Sequence, residues 1–241
     1  MRHQRHSAIL FIHGILGTPN HFAPFLLHIP PEWSICNILL KGHGGGVRDF
    51  SRATMAEWKN QVQYALDELL KEHDRVLIVA HSMGTLFAIQ EAIKKPIAEL
   101  FLLNVPLKIR VRPQLFKMAY KIWQGKINPD DEQLLAAQAA YSIERDRHIL
   151  RYIGWIPRYL ELFVEIRKTR KITARLSVPS HIYFSLQDEM VSPKSCVLLE
   201  SNAFVTVKTL KKSGHFYYSQ EDQFLLIEDF KEMIRDTDQA S

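Results

Sequence analysis

The stretch Arg75-Val-Leu-Ile-Val-Ala80 is a short apolar, β-branched run, and Met83 to Ile93 repeats apolar residues at helical spacing. The first pattern reads as a strand covered on both faces and the second as a buried helix. Between them lie only His81 and Ser82. A strand that passes into a helix this abruptly turns a corner with almost no room for side chains two positions before and after it. Ala80 and Gly84 meet that demand, in a small-x-Ser-x-Gly pattern, Ala80-His81-Ser82-Met83-Gly84. Such a corner strains the serine backbone and leaves the hydroxyl clear of the main chain. The pentapeptide alone is common; the strand and helix around it give it weight.

The rest of the chain alternates in the same way. Strands are expected near 7–12, 34–40, 75–80, 99–104, 180–185 and 204–210, and helices near 19–28, 54–72, 83–95, 193–201 and 219–235. This alternation predicts an α/β fold, a mostly parallel sheet with helices on both faces and right-handed crossovers. Ligands bind such sheets at the carboxyl ends of the strands. Three further pieces fall at those ends. The first expected strand runs into His13-Gly14-Ile15-Leu16-Gly17, a loop able to turn the Ile15 N–H toward a reacting carbonyl. Asp188 follows the strand 180–185, and Ser213-Gly214-His215 follows the strand 204–210. The order Ser82, Asp188, His215 is that of one known class of catalytic triad.

With these residues in place, the chain resembles the α/β-hydrolase-fold serine esterases, most closely bacterial carboxylesterases and monoacylglycerol lipases. It shares Leu39-Leu-Lys-Gly-His-Gly44 and Trp58 with them, over residues 7–106 and 177–236. Ala80 and Thr85 stand where glycines are usual. The resemblance implies a hydrolase core over 1–106 and 177–241 and an inserted helical cap over 107–176. It implies hydrolysis of a small-molecule carboxylic ester, with an apolar acyl chain, through an acyl-enzyme. Ser82 would be the nucleophile, His215 the general base and Asp188 its orienting acid. The N–H groups of Ile15 and Met83 would form the oxyanion hole. Neither a metal nor an organic cofactor is needed for this chemistry. Glu189 adjoins Asp188 as a rival acid. Amide, thioester or carbon–carbon cleavage by the same triad, and a non-catalytic ligand-binding protein of the fold, remain alternatives.

The segment 107–176 breaks the alternation. Leu115, Met118, Ala119 and Ile122 form one apolar stripe, and Asn128-Pro129-Asp130-Asp131 reads as a helix start with Asn128 as cap. Tyr159, Leu160, Leu162, Phe163 and Ile166 suggest another amphipathic helix, and these apolar faces are expected to line an acyl cleft. Residues 107–175 carry 15 Lys and Arg against 7 Asp and Glu, while the whole chain has 31 against 26. This basic excess can draw in anionic substrates or rest against an acidic membrane surface, but the favoured reading is a solvated helix face with Arg167, Lys168, Arg170 and Lys171 exposed.

At 241 residues and 46% apolar content the chain is long enough for one sizeable core. No apolar run approaches the ~18–20 residues of a membrane span. Arg2 and Arg5 before the first strand suggest a secretory signal only superficially, since the apolar part is short and lacks a cleavage site. Cys36 and Cys196 form no disulfide framework, so a reducing cytoplasm is expected. No basic motif interleaved with aromatics points to nucleic acid. The positions of His13, His43 and His81 match no zinc spacing.

Overall fold

The computed structural model describes residues 7–239; Arg2 and Arg5 lie outside them. Six strands form one sheet in the order β2-β1-β3-β4-β5-β6, every adjacent pair parallel. The strands are β1 (Ser7–Ile12), β2 (Ser34–Ile38), β3 (Arg75–His81), β4 (Glu99–Leu103), β5 (Ser180–Ser185) and β6 (Val205–Leu210). The α/β-hydrolase fold expected from the sequence is the one adopted. Because strand side chains alternate, each strand feeds two cores. Leu10, Ile12, Ile78, Ala80, Leu102 and Phe184 pack on one face. Ile9, Phe11, Val79, Phe101 and Tyr183 pack on the other.

The second core is closed by α1 (Ala23–Leu26) and α8 (Gln220–Gln239), through Phe25, Leu226, Phe230 and Met233. The first is closed by α2 (Val47–Arg52), α3 (Met55–Glu72) and α4 (Met83–Ala92), with Phe50, Trp58, Val62, Leu66 and Phe87. Helix α3 starts on a reciprocal cap: Thr54 Oγ1 accepts the Glu57 N–H at 3.2 Å while Glu57 Oε2 accepts the Thr54 N–H at 2.9 Å.

Several local expectations shift. The helix expected over 19–28 divides into a 3₁₀ turn, Pro19–Phe22, and the single turn α1. Pro24 supplies no N–H there and cannot extend the preceding turn. The helix expected over 193–201 is a 3₁₀ turn, Pro193–Leu198. Buried Ser195 within it accepts the Lys108 N–H at 2.8 Å, tying the segment to the opposite loop. Helix α2 is not among the helices expected from the sequence. Asp49 organises its start by accepting the Gly46 N–H at 2.9 Å, and Val47 and Phe50 supply its buried face.

Between β4 and β5 the chain forms α5 (Pro113–Gln124), α6 (Glu132–Ala140), a 3₁₀ turn (Ile149–Trp155) and α7 (Ile156–Arg170). Asp131, not Asn128, caps α6: its Oδ1 accepts the Leu134 N–H at 3.0 Å, whereas Asn128 Oδ1 closes a turn onto Asp130. From that start Leu134, Ala137 and Ala140 follow as one buried stripe. The insertion is anchored over α2 and α3. The buried Arg158 guanidinium donates to the carbonyls of Ser51 and Ala53, and Trp155 Nε1 donates to Val47 O at 3.2 Å. The stripe expected on α7 splits between two faces. Leu162 and Ile166 are buried, while Leu160 and Phe163 turn outward at 60% and 51% exposure. None of the α5 stripe is buried. Among the described residues no helix is long and apolar enough to cross a membrane.

Candidate active site

Ser82 sits on the corner between β3 and α4 with φ 51° and ψ −121°. A positive φ at a residue carrying a Cβ costs of order 1–3 kcal/mol and persists only where its surroundings hold it. Here they do. The Ser82 N–H donates to Leu103 O at 2.9 Å, and the Ser82 carbonyl accepts both the Thr85 N–H at 3.0 Å and the Thr85 hydroxyl at 2.6 Å. Thr85, a departure from the usual glycine, thus adds a bond to the corner. Ala80 is fully buried in the first core, so its methyl is accommodated.

Gly84 has no such latitude. A Cβ there would collide with the Ile12 carbonyl oxygen and lie 2.8 Å from that of His13. Both obstacles are main chain at the end of a central strand, so neither can swing away. Gly84→Ala should therefore cost about 3 kcal/mol or more of stability, the upper range for overpacking. Urea denaturation reads this directly, and an unchanged midpoint would mean that the corner is looser than drawn.

The β1–α1 loop faces the serine. A Cβ on Gly14 would lie 2.9 Å from Ser82 Cβ. The Gly14 carbonyl is held from behind by the Gly17 N–H at 3.0 Å and by His13 Nδ1 at 2.8 Å. In a trans peptide the N–H points opposite to the C=O. Fixing Gly14 O therefore fixes the direction of the Ile15 N–H. Met83 N–H belongs to the first turn of α4, where helical N–H groups have no intrahelical acceptor. Among the described residues neither N–H has a hydrogen-bond partner.

On the other side, His215 Nδ1 and Asp188 Oδ2 are 2.7 Å apart, with both side chains buried. The other Asp188 oxygen accepts the N–H groups of Met190 and Val191 at 2.7 and 2.6 Å, which orients the carboxylate. His81, the residue before Ser82, donates from Nε2 to the His215 carbonyl at 2.9 Å, and the two rings are 4.7 Å apart. This contact ties the His215 backbone to the residue that precedes Ser82. Glu189 does not approach the imidazole nitrogen that Asp188 occupies; its carboxylate accepts the backbone N–H of His215 at 2.9 Å.

Three residues at the site were not assigned these tasks from sequence. His13 holds the loop as a neutral ring, with Nε2 accepting the Leu40 N–H at 3.0 Å. His43 Nε2 likewise accepts the Leu16 N–H at 3.2 Å. Burial, as the largest cause, pulls the pKa of His13 down to about 4 and that of His43 to about 3, and holds His81 well below the usual histidine value. Asn104 ends β4 at φ 54°, accepts the Ser185 N–H at 2.8 Å and lies 3.5 Å from the carbonyls of Gly214 and His215. Asparagine at a strand end is a recognisable signal, since it tolerates this backbone better than most residues. Among the described residues no group of three or more His, Cys, Asp or Glu side chains is placed to hold a metal ion.

Comparison with known proteins agrees with this fold. The chain is 23% identical over 232 residues to a thermostable monoacylglycerol lipase of Bacillus sp. (strain H-257), covering 91% of this chain and 87% of that protein. It superposes with a TM-score of 0.71 on a metagenome-derived lipolytic enzyme (LipS or LipT) at 19% identity, covering 96% of this chain and 94% of that one. The monoacylglycerol lipase of Paleococcus ferrophilus gives a TM-score of 0.67 at 15% identity, covering 95% and 94%. At these identities the two structures speak for the fold. Residues 9–225 match the Alpha/beta hydrolase family over nearly the whole chain, and the protein belongs to that family.

Proposed function

We propose that this protein hydrolyses small-molecule carboxylic esters through an acyl-enzyme on Ser82. The observation that carries the reading is the pairing of a strained serine corner with a buried His215–Asp188 couple on the neighbouring loops. A serine hydroxyl is a poor nucleophile at neutral pH and needs a base beside it. With Nδ1 committed to Asp188, the ring nitrogen left to His215 for that task is Nε2. It takes the Ser82 proton as Oγ attacks the acyl carbon, then passes it to the departing alcohol oxygen. Asp188 keeps the tautomer and stabilises the imidazolium. The N–H groups of Ile15 and Met83 receive the oxyanion, and both are fixed before substrate arrives. Water, deprotonated by the same imidazole, then releases the acid and restores Ser82.

In this reading residues 1–106 and 177–241 are the catalytic core, and 107–176 is a helical cap that shapes the acyl site. The lipolytic activity of the similar proteins supports an ester over the other bonds this machinery can break. A panel of p-nitrophenyl esters, glycerides, thioesters and amides tests the choice. Esters should be turned over fastest, and a thioester or amide that outran every ester would reassign the reaction.

The two adjacent acids make a sharper test. Asp188→Asn should lower kcat on the order of 10³–10⁴, because an amide in place of the carboxylate favours the wrong imidazole tautomer. Glu189→Gln should be mild, since an amide oxygen still accepts the His215 N–H. Steady-state kinetics on the two purified variants settle the roles, and the reverse ranking would make Glu189 the triad acid.

A further inference from the structure

His215 is gripped by its backbone as well as by its ring. Its N–H donates to Glu189 Oε2 at 2.9 Å, and its carbonyl accepts from His81 Nε2 at 2.9 Å. Glu189 is 7% exposed, and its carboxylate lies directly on the turn that carries the histidine. A Cβ on Gly214 would sit 2.8 Å from Oε1 and 3.2 Å from Oε2, so the glycine is what lets the carboxylate come this close. The Glu189 main chain is held too, with its carbonyl accepting the Arg112 N–H at 2.8 Å. Flanking it, Arg110 N–H donates to Met190 O at 2.9 Å and Ser192 N–H to Lys108 O at 2.8 Å. The acid loop is thereby stitched to the first residues of the β4–β5 insertion.

A buried carboxylate is a costly way to satisfy one backbone N–H, which a carbonyl or a water serves as well. What a carboxylate adds is a short, strong, directional bond at one fixed point. Asp188 and Glu189 are consecutive, so any shift of their loop moves both together. One holds the imidazole and the other holds the peptide from which that imidazole hangs. We infer that Glu189 is a positioning residue for His215, locking its backbone in register with Asp188 so that the ring is aimed at Ser82 in the resting enzyme. This inference rests on the triad reading proposed above. It assigns to Glu189 a task in the chemical step rather than in substrate binding, and it makes Gly214 necessary to that task.

The test uses the full-length enzyme and a soluble p-nitrophenyl ester. Glu189→Ala removes the acceptor, and kcat should drop about 100-fold, the penalty of a catalytic group displaced by about 1 Å. KM should stay within about twofold, because no substrate contact is lost. Glu189→Gln keeps an acceptor oxygen at the same reach and should restore kcat to within roughly tenfold of native, given a weaker neutral bond. Gly214→Ala leaves the carboxylate in the protein but pushes it away, so it too should lower kcat at constant KM. It decides the matter if Glu189→Ala does not fold. Native kcat in Glu189→Ala, a loss carried by KM, or a Glu189→Gln as slow as Glu189→Ala would each overturn the inference. Ser82→Ala, assayed alongside, separates the two failures. If it is inactive while Glu189→Ala is native, only the positioning role falls; if it is active, the triad reading falls.

Discussion

Ser82→Ala is expected to yield a folded protein whose ester hydrolysis is slower by about five to six orders of magnitude, the usual consequence of losing a triad nucleophile. The fold should survive because every bond that holds the corner is made by the serine main chain. The Ser82 N–H still reaches Leu103 O, and its carbonyl still accepts from Thr85. Alanine keeps the Cβ, so the strain at φ 51° is neither relieved nor increased. Thermal unfolding should therefore match the parent within about 0.5 kcal/mol, as for substitutions that disturb no packing. The rate should collapse because alanine carries no hydroxyl to take the acyl group. An organofluorophosphonate should label the parent on Ser82, found by peptide mass spectrometry, and leave the variant unlabelled. Ester hydrolysis at the parental rate by Ser82→Ala would end the serine-hydrolase assignment.

Acid should unfold the protein early and steeply. His13, His43 and His81 are 1%, 5% and 2% exposed, and burial is the main reason each resists protonation. Their folded pKa values lie below that of a histidine in an unfolded chain, ~6.5. Below pH ~6.5 the unfolded chain therefore binds protons that the folded chain refuses, and stability falls as pH falls. Each such histidine contributes about 1.4 kcal/mol per pH unit, so the three together remove about 4 kcal/mol per unit. The decline continues until the folded state itself titrates, near pH 4 for His13 and pH 3 for His43. Above pH ~6.5 these groups are neutral in both states and add no slope. Against a typical total of ~5–15 kcal/mol, a loss of this size over about two units removes a large part of the stability. Urea titrations between pH 8 and pH 4.5 measure the slope, and calorimetry in buffers of different ionisation heat counts the protons taken up. A stability that stays flat from pH 7 to pH 5 would mean that these rings are already charged or solvated in the folded protein.

The parallel sheet, the serine corner and the loop ends that carry Ile15, Asp188 and His215 are legible in the residues alone. Strands buried on both faces leave unbroken apolar runs such as Ala8 to Ile12 and Val76 to Ala80, and a tight strand-to-helix corner admits only small neighbours. Both are local demands, met within a few residues, so local sequence records them. Tertiary structure alone decided what depends on distant partners. The sequence favours Asp188 over Glu189, but the task Glu189 takes instead, accepting the His215 backbone N–H from 26 positions away, is visible only in the fold. The neutral tautomers of His13 and His43 are set by N–H groups of loops distant in sequence, Leu40 and Leu16. Helical periodicity grouped Leu160, Leu162, Phe163 and Ile166 as one element. It could not say that Leu162 and Ile166 turn inward while Leu160 and Phe163 meet solvent. A 3.6-residue period states which side chains share a face; only the elements packed against the helix determine which face is covered.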